Sequence, residues 1–347
     1  MKKLFTLACF AAVCALAQQP RIQNARLDNR QVTGGLEAAM KSIVAATTAP
    51  LWAGYAVPIV HGDRNMCCFS NGYACGCSLE GRNQIEGNIT TGNAVKLEGP
   101  THLVVLYRIE DHAVGKVRTF TPECEIDAGG LQFIWLNGVQ PAESVRFLAS
   151  LVTPDKTGVR RSPVAAIALH ADPAADQALE QLTTTSQPES VRRDAAFWLG
   201  NARGRRGFEI LSRMIREDPS DKVREHAIFA LTQSKEPEAV NTIIKTAHDD
   251  KSPHVRGQAL FWLAQKAGAK VTETIQNALE NDPDTEVKKK AVFALTQMPN
   301  QEGVPLLIQV ARTNRNPAVR KQAVFWLGQS KDPRALSFLE DVLLGKM

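Results

Sequence analysis

A phrase of eleven residues returns every 32 residues along the second half of this chain. It reads Val191-Arg192-Arg193-Asp194-Ala195-Ala196-Phe197-Trp198-Leu199-Gly200-Asn201, and further copies begin at Val223, Val255, Val287 and Val319. A fixed period of this size commits a chain to stacked, near-identical units, because one unit alone cannot bury its apolar face. The spacing inside the phrase is helical. Val255, Ala259 and Leu263 fall at i, i+4 and i+8 and share one face. Leu260, Phe261 and Trp262 widen that face until most of the helix is apolar, which predicts an inner helix packed against both neighbouring repeats. Ser220, Ser252, Asp284 and Asn316 stand three residues before each Val as N-caps, and Pro253 and Pro317 take the first helical position. The eighth position alternates Trp198, Ala230, Trp262, Ala294, Trp326. In stacked helices that alternation predicts core packing, each large ring facing a small neighbour.

Each inner helix needs a partner. Asp332-Pro333 opens one, and steps of 32 or 64 back from it find Pro237, Asp172-Pro173 and Gln140-Pro141. Six hairpins are expected, at about 141–169, 173–201, 205–233, 237–265, 269–297 and 301–329, closed by a last helix at 333–344. The first is degenerate, since Pro163 and Ala166 replace the usual Ala and Trp, as terminal repeats often are.

These residues carry a resemblance. The pattern V-[RK]-x-x-A-[VIL]-F-[WA]-L, with Asp218, Asp250, Asp282 and Asn314 five residues ahead of its copies, resembles the HEAT repeat. It is most similar to the short bacterial kind related to the phycobilisome-lyase-type HEAT-like repeats. The resemblance covers about 200 of 347 residues and implies a mainly α fold, an α-α superhelix with a concave surface offered to partners. A ladder of cations, Arg160, Arg192, Arg224, Arg256, Lys288 and Arg320, follows the same period. The resemblance implies that each meets the recurring Asp of an inter-helix turn and bridges adjacent repeats; a groove for an acidic partner is the other reading.

The N-terminal part has no such period. Lys2 and Lys3, the apolar run Leu4 to Val13 and Ala15-Leu16-Ala17 form a signal peptide, with cleavage expected after Ala17. The mature chain is then expected to be periplasmic or secreted, with no membrane span after signal removal. Its net charge is +3 once Lys2 and Lys3 are gone, too mild to suggest a nucleic-acid partner. Residues 18–140 read as a small α+β or mainly β domain ahead of the solenoid at 141–347. Leu36, Met40, Ile43 and Val44 mark a helix after Gly34-Gly35 that Pro50 ends. His102 to Ile109 and Val114 to Phe120 form a hairpin around Asp111-His112, and Leu131 to Leu136 is a third strand.

All five mature cysteines, Cys67, Cys68, Cys75, Cys77 and Cys124, lie in this domain. In an exported chain they point to disulfides, with Cys124 tying the Cys67–Cys77 loop to the sheet and one thiol left over. A metal site and a reactive thiol stay open beside that reading, although the CC-x6-C-x-C spacing is not the paired form usual for zinc.

No catalytic motif stands out, so no catalytic residue, metal ligand or cofactor is assigned. The resemblance reaches iron-dependent hydroxylases of the deoxyhypusine type, which carry His-Glu pairs, but no His-Glu dipeptide occurs here. Arg203, Arg205, Arg206, Arg213 and Arg216 make the densest basic patch, read as a solvated helix face or a site for an acidic protein. The function expected is an exported scaffold that binds a protein or peptide. The candidate contact residues are those that vary at the third and fourth positions of the phrase: Arg193, His226, Gln258, Lys289, Lys290 and Lys321. The rival is an enzyme or a redox or metal protein with its chemistry in the Cys67–Cys77 loop.

Overall fold

The computed structural model describes residues 19–62, 66–70, 73–74, 77–80, 85–86, 100–154, 163–266 and 268–346. The expected signal peptide, Cys75, the side chain of Cys68 and the copy of the phrase at 159–162 lie outside the described residues. The chain forms two compact units, one running to Leu151 and taking in residues up to Asp172, the other running from Pro173 with Val152–Pro154.

The first unit is α+β. Its five-stranded sheet runs Arg26–Gln31, Gln132–Asn137, Leu51–Pro58, His102–Glu110, Ala113–Phe120 from edge to edge. The first three strands are parallel and the last two add antiparallel. Leu51–Pro58, which the sequence reading passed over, is the middle strand. All but its last residue is buried, so it reads as an unbroken apolar run and shows no alternation. The expected hairpin forms, and Asp111 and His112 turn it with φ of 50° and 56°, the left-handed pair such a tight turn requires. Helix α1 (Leu36–Ala46) buries Leu36, Met40 and Ile43.

One face of the sheet packs Trp52, Leu106, Phe133 and Trp135 against Cys67, Cys77, Leu79 and Cys124. A disulfide joins Cys67 to Cys124. Glu80 accepts hydrogen bonds from Trp52 Nε1 at 2.8 Å and Arg108 Nε at 2.9 Å, which pins the 77–80 segment to the sheet. The opposite face carries Tyr55 and Tyr107 against helix α2 (Pro141–Ser150), where Phe147 meets Tyr107 edge-on.

A buried polar chain fastens this second layer. The Tyr107 and Tyr55 hydroxyls lie 2.5 Å apart, Tyr55 meets Ser144 at 2.6 Å, and Ser144 meets His170 Nε2 at 2.7 Å. His170 Nδ1 lies 2.6 Å from the Ala166 carbonyl, which can only accept. Nδ1 therefore carries the hydrogen, and in the neutral ring Nε2 accepts from Ser144. The direction of every bond then follows, with Tyr107 donating to Tyr55 and Tyr55 to Ser144. Burial holds both tyrosine hydroxyls well above their usual range, so they stay protonated. Helix α3 (Pro163–Leu169) supplies Ala166, and backbone bonds from Val60 to Leu169 and from Ala171 to Pro58 lay its exit along the sheet. The hairpin expected at 141–169 thus packs, as α2 and α3, within the first unit.

The second unit is all helical. The outer helices are α4 (Pro173–Leu182), α6 (Gly204–Glu217), α8 (Glu238–Asp249), α10 (Ala269–Asn281), α12 (Gly303–Thr313) and α14 (Pro333–Leu343). The inner ones are α5 (Glu189–Ala202), α7 (Asp221–Thr232), α9 (Pro253–Ala264), α11 (Thr285–Thr296) and α13 (Pro317–Gln329). Successive inner helices pack closely on one another, while successive outer helices touch sparingly, so the inner set lies on the concave side. At Gly200 the approach leaves no room for a side chain, since a Cβ there would sit 2.1 Å from the Ala230 carbonyl oxygen. The Val, Ala and Leu of every copy are buried.

Three cations of the ladder, Arg192, Arg224 and Arg256, link the repeats as the resemblance implied, whereas Lys288 and Arg320 bond to backbone carbonyls and Arg160 lies outside the described residues. Arg192 grips Asp218 through Nε at 2.8 Å and through its terminal nitrogen at 3.0 Å. Arg224 does the same to Asp250, and Arg256 to Asp282, in each case reaching from an inner helix to the turn of the next repeat. Each acid also accepts from a backbone N–H two residues on, at Ser220, Ser252 and Asp284. Capping is mixed. Asp284, Asn316 and Asp332 cap their helices with side-chain oxygens, but Ser220 and Ser252 do not. The Ser252 hydroxyl turns back to donate to Asp221 on the preceding inner helix.

Ser144→Ala removes both the acceptor offered to Tyr55 and the donor offered to His170. Truncations that break buried hydrogen bonds cost about 1–3 kcal/mol. A denaturant melt should show that loss, and a change within about 0.5 kcal/mol, typical of an exposed site, would contradict the buried chain.

Candidate functional site

The inner helices bury one stripe in the stack and present a second along the concave side. Phe197 and Trp198 on α5 begin it, with ring centroids 5.3 Å apart. Phe197 then stacks on Phe229 at 6.2 Å, Phe229 meets Trp262 at 4.8 Å, and Trp262 meets Phe261 at 5.0 Å. Phe261 stacks on Phe293 at 5.9 Å, Phe293 meets Trp326 at 5.2 Å, and Trp326 meets Phe325 at 5.1 Å. The result is one unbroken file of eight rings across five repeats. None is fully buried, and Phe325 is 54% exposed.

This corrects the expectation that Trp198, Trp262 and Trp326 fill the core against Ala230 and Ala294. The two alanines are fully buried, but the tryptophans are only half-buried and lie on phenylalanines. The physical reason is the tight approach of neighbouring inner helices. Where Gly200 meets the Ala230 backbone there is no room even for a methyl group, so the bulky rings are displaced to the rim of the interface.

The polar candidates border this file. Arg193 and Lys321 are exposed, and His226 and Gln258 are half-buried. His226 lies beside Phe229, with ring centroids 5.8 Å apart. Burial, helped by the nearby Arg193 charge, lowers the pKa of His226 below its ordinary 6.5. Lys289 pairs with Glu286 at 2.8 Å on its own helix. Lys290 enters an arrangement the sequence reading missed. Its ammonium donates to His254 Nδ1 at 2.8 Å, and His254 Nε2 lies 2.6 Å from Glu225. Three repeats are thereby joined through one imidazole, whose Nε2 stands at ion-pair distance from the carboxylate. Burial raises the pKa of Glu225 and lowers that of Lys290. Gly257 makes room for it, because a Cβ there would come 2.2 Å from Lys290 Cδ. His254 sits one residue before the phrase, so a search restricted to its variable positions passes over it.

Four arginines of the patch are closely paired, and Arg216 stands exposed 3.6 Å from Glu217. Arg203 pairs with Asp176 at 2.7 Å, Arg205 with Glu238 at 2.6 Å, and Arg206 and Arg213 both with Glu180 at 2.5 Å. These bonds run between successive repeats. Of the cysteines, Cys67 and Cys124 form one disulfide and Cys77 is disulfide-bonded as well. All three are nearly inaccessible to solvent.

The HEAT repeats family matches residues 208–271 and 272–346. These residues are HEAT repeats. Solved structures similar to this chain include the complex of CpcE and CpcF of phycocyanin lyase from Nostoc sp. PCC7120, 21% identical, covering 46% of this chain and 100% of that one, with a TM-score of 0.34. Human deoxyhypusine hydroxylase in complex with glycerol is 16% identical over 58% of this chain and 89% of its own, with a TM-score of 0.25. YibA of Escherichia coli is 23% identical over 57% and 77%, with a TM-score of 0.33. No curated protein sequence matches the chain. The HEAT repeats thus cover the part of the solenoid from α6 onward, and the first unit has no recognised family.

A pH effect follows from His226. Its folded pKa is lowered, so the unfolded chain binds that proton more readily. Stability is therefore lost as pH falls below about 6.5 and is level, for this group, above it. Thermal melts across that range should show a slope that His226→Gln reduces. An unchanged slope in the variant would mean that another group sets it.

Proposed function

We propose that this protein is an exported scaffold whose HEAT repeats hold a segment of a protein partner along the inner-helix face. A HEAT solenoid is consistent with an interaction scaffold, and such arrays offer their concave surface to partners. The observation that carries the reading is the continuous file of incompletely buried rings from Trp198 to Phe325, open most at Phe325. Aromatic side chains that remain partly wet in a contiguous strip, rimmed by polar groups, are what a binding surface requires. Arg193, His226 and Gln258 border its middle, and Lys289, Lys290 and Lys321 border the end near Phe293 and Phe325. The exposed cations Arg193 and Lys321 favour a segment with apolar anchors and acidic flanks.

Export is supported by the charged and apolar character of residues 1–17, with cleavage after Ala17 proposed. The Cys67–Cys124 disulfide suits an oxidising compartment. It also weighs against chemistry in the Cys67–Cys77 loop. Cys67, Cys77 and Cys124 are already bonded and buried, where a substrate does not reach their sulfur atoms.

The test is capture of a partner from a periplasmic extract by the full chain and by Arg193→Glu with Lys289→Glu. Both side chains are at the surface of the stack, so the melting temperature should hold. Reversal of two rim charges slows association and should reduce capture about tenfold or more. Equal capture by the double variant, or capture by a chain lacking the repeats, would show that the inner face is not the docking surface.

A further inference from the structure

The Arg–Asp ladder breaks at its fourth rung. In the intact rungs one guanidinium does two things. Arg224 donates to the Asp218 carbonyl at the turn of its own repeat and closes on the Asp250 carboxylate of the next. Arg256 repeats this with the Asp250 carbonyl and the Asp282 carboxylate. At the fourth rung both partners change together. Lys288 stands in place of arginine, and Asn314 in place of aspartate.

Lys288 makes neither contact of an intact rung, and its ammonium donates instead to the Glu280 carbonyl in the last turn of α10, at 2.7 Å. Asn314 makes the bridge between repeats without charge, its amide donating to the Leu279 carbonyl at 3.1 Å. Among the described residues no carboxylate closes on the Lys288 ammonium. Asp282 is near enough to feel that charge, but both of its oxygens are engaged by Arg256.

The helices part at the same place. Of the neighbouring outer pairs from α4 to α14, α10 and α12 make the least contact. A cleft of about 470 Å³ opens between them. Leu279, Leu306 and Val310 form its apolar floor, Lys288, Asn314 and Arg315 line its polar side, and Glu280 adds one carboxylate against those two cations. In the comparable cleft between α6 and α8, about 340 Å³, the rung cation Arg224 is closed on Asp250, while Arg216, Lys245 and Lys251 line the rest.

We infer that the α10–α12 cleft is a carboxylate-binding site, in which the ligand's carboxylate takes the place that aspartate holds in the other rungs. Lys288 and Arg315 supply the countercharge, and the apolar floor holds a short aliphatic stem. The chemistry fits a small free carboxylic acid and the glutamate side chain of a polypeptide alike. The site lies on the edge formed by the turns and outer helices, and it does not depend on the inner-face reading.

Calorimetry on the full chain with glutarate, and with an end-capped peptide holding a single glutamate, tests the inference. At least one probe should bind saturably within about 10 mM, in the weak range expected of one charged contact. Lys288→Gln should weaken that binding about tenfold or more, as loss of a charge-assisted hydrogen bond does. Lys288→Arg with Asn314→Asp should rebuild the internal rung. It should melt higher than the parent and lose the probe, which separates a site from general loosening. Tighter binding of glutarate assigns the site to small acids, and tighter binding of the peptide assigns it to a polypeptide. The inference is overturned if neither probe saturates, or if Lys288→Gln or the double variant binds as well as the parent.

Discussion

A guanidinium closed on a carboxylate at the inter-helix turn holds one repeat of the solenoid in register with the next. The pairs Arg192–Asp218, Arg224–Asp250 and Arg256–Asp282 are almost wholly withdrawn from water. A buried ion pair is weak evidence of net stability, because desolvation offsets much of the attraction. Its value lies in geometry. A bidentate fork fixes distance and angle together, and the remaining donors and acceptors are satisfied by turn carbonyls and N–H groups. Burial alone would raise the Asp282 carboxyl, yet Arg256 and the Asp284 N–H hold it below its usual range. A half-made rung would leave a buried charge unmet, so slipped stackings are penalised.

Fixed register is what lets the inner helices carry two apolar stripes. The Val, Ala and Leu stripe is consumed by stacking. The ring stripe is continuous only because each Phe arrives beside the ring of the next layer. Phe261 and Phe293 lie with their planes 2° apart at 5.9 Å, an arrangement that a shift of one helical residue would destroy. The Glu225–His254–Lys290 bridge has the same dependence, since it spans three helices through one imidazole.

Much of this was legible in the residues. A 32-residue period, proline at helix starts and acids at the turns locate every hairpin from 173 onward to within a few residues, because helix punctuation is a local property. The hairpin around Asp111 and His112 is local in the same way. Leu51–Pro58 was not legible as a middle strand, because burial on both faces erases alternation. Arg26–Gln31 is a polar edge whose only strand signal is its parallel partner, over a hundred residues away. The tryptophans misled because an apolar helix face reads alike whether it meets protein or solvent. The polar chain from Tyr107 to His170 joins four residues with no common spacing, and no pattern could have gathered them. The fourth rung was visible as Lys288 and Asn314, but as variants of a ladder, since the cleft beside them is a matter of helix separation.

Native-state hydrogen exchange on Asp250→Ala tests the role of the rungs most directly. Removing Asp250 leaves the buried Arg224 with only the more exposed Asp221 beside it and should cost up to about 3–5 kcal/mol. If the rungs hold the register, α4 to α7 should open separately from α8 to α14 in the variant, with amides on the two sides exchanging at distinct rates, whereas the parent opens both sides together. A variant that loses stability yet still opens α4 to α14 as one unit would contradict the account.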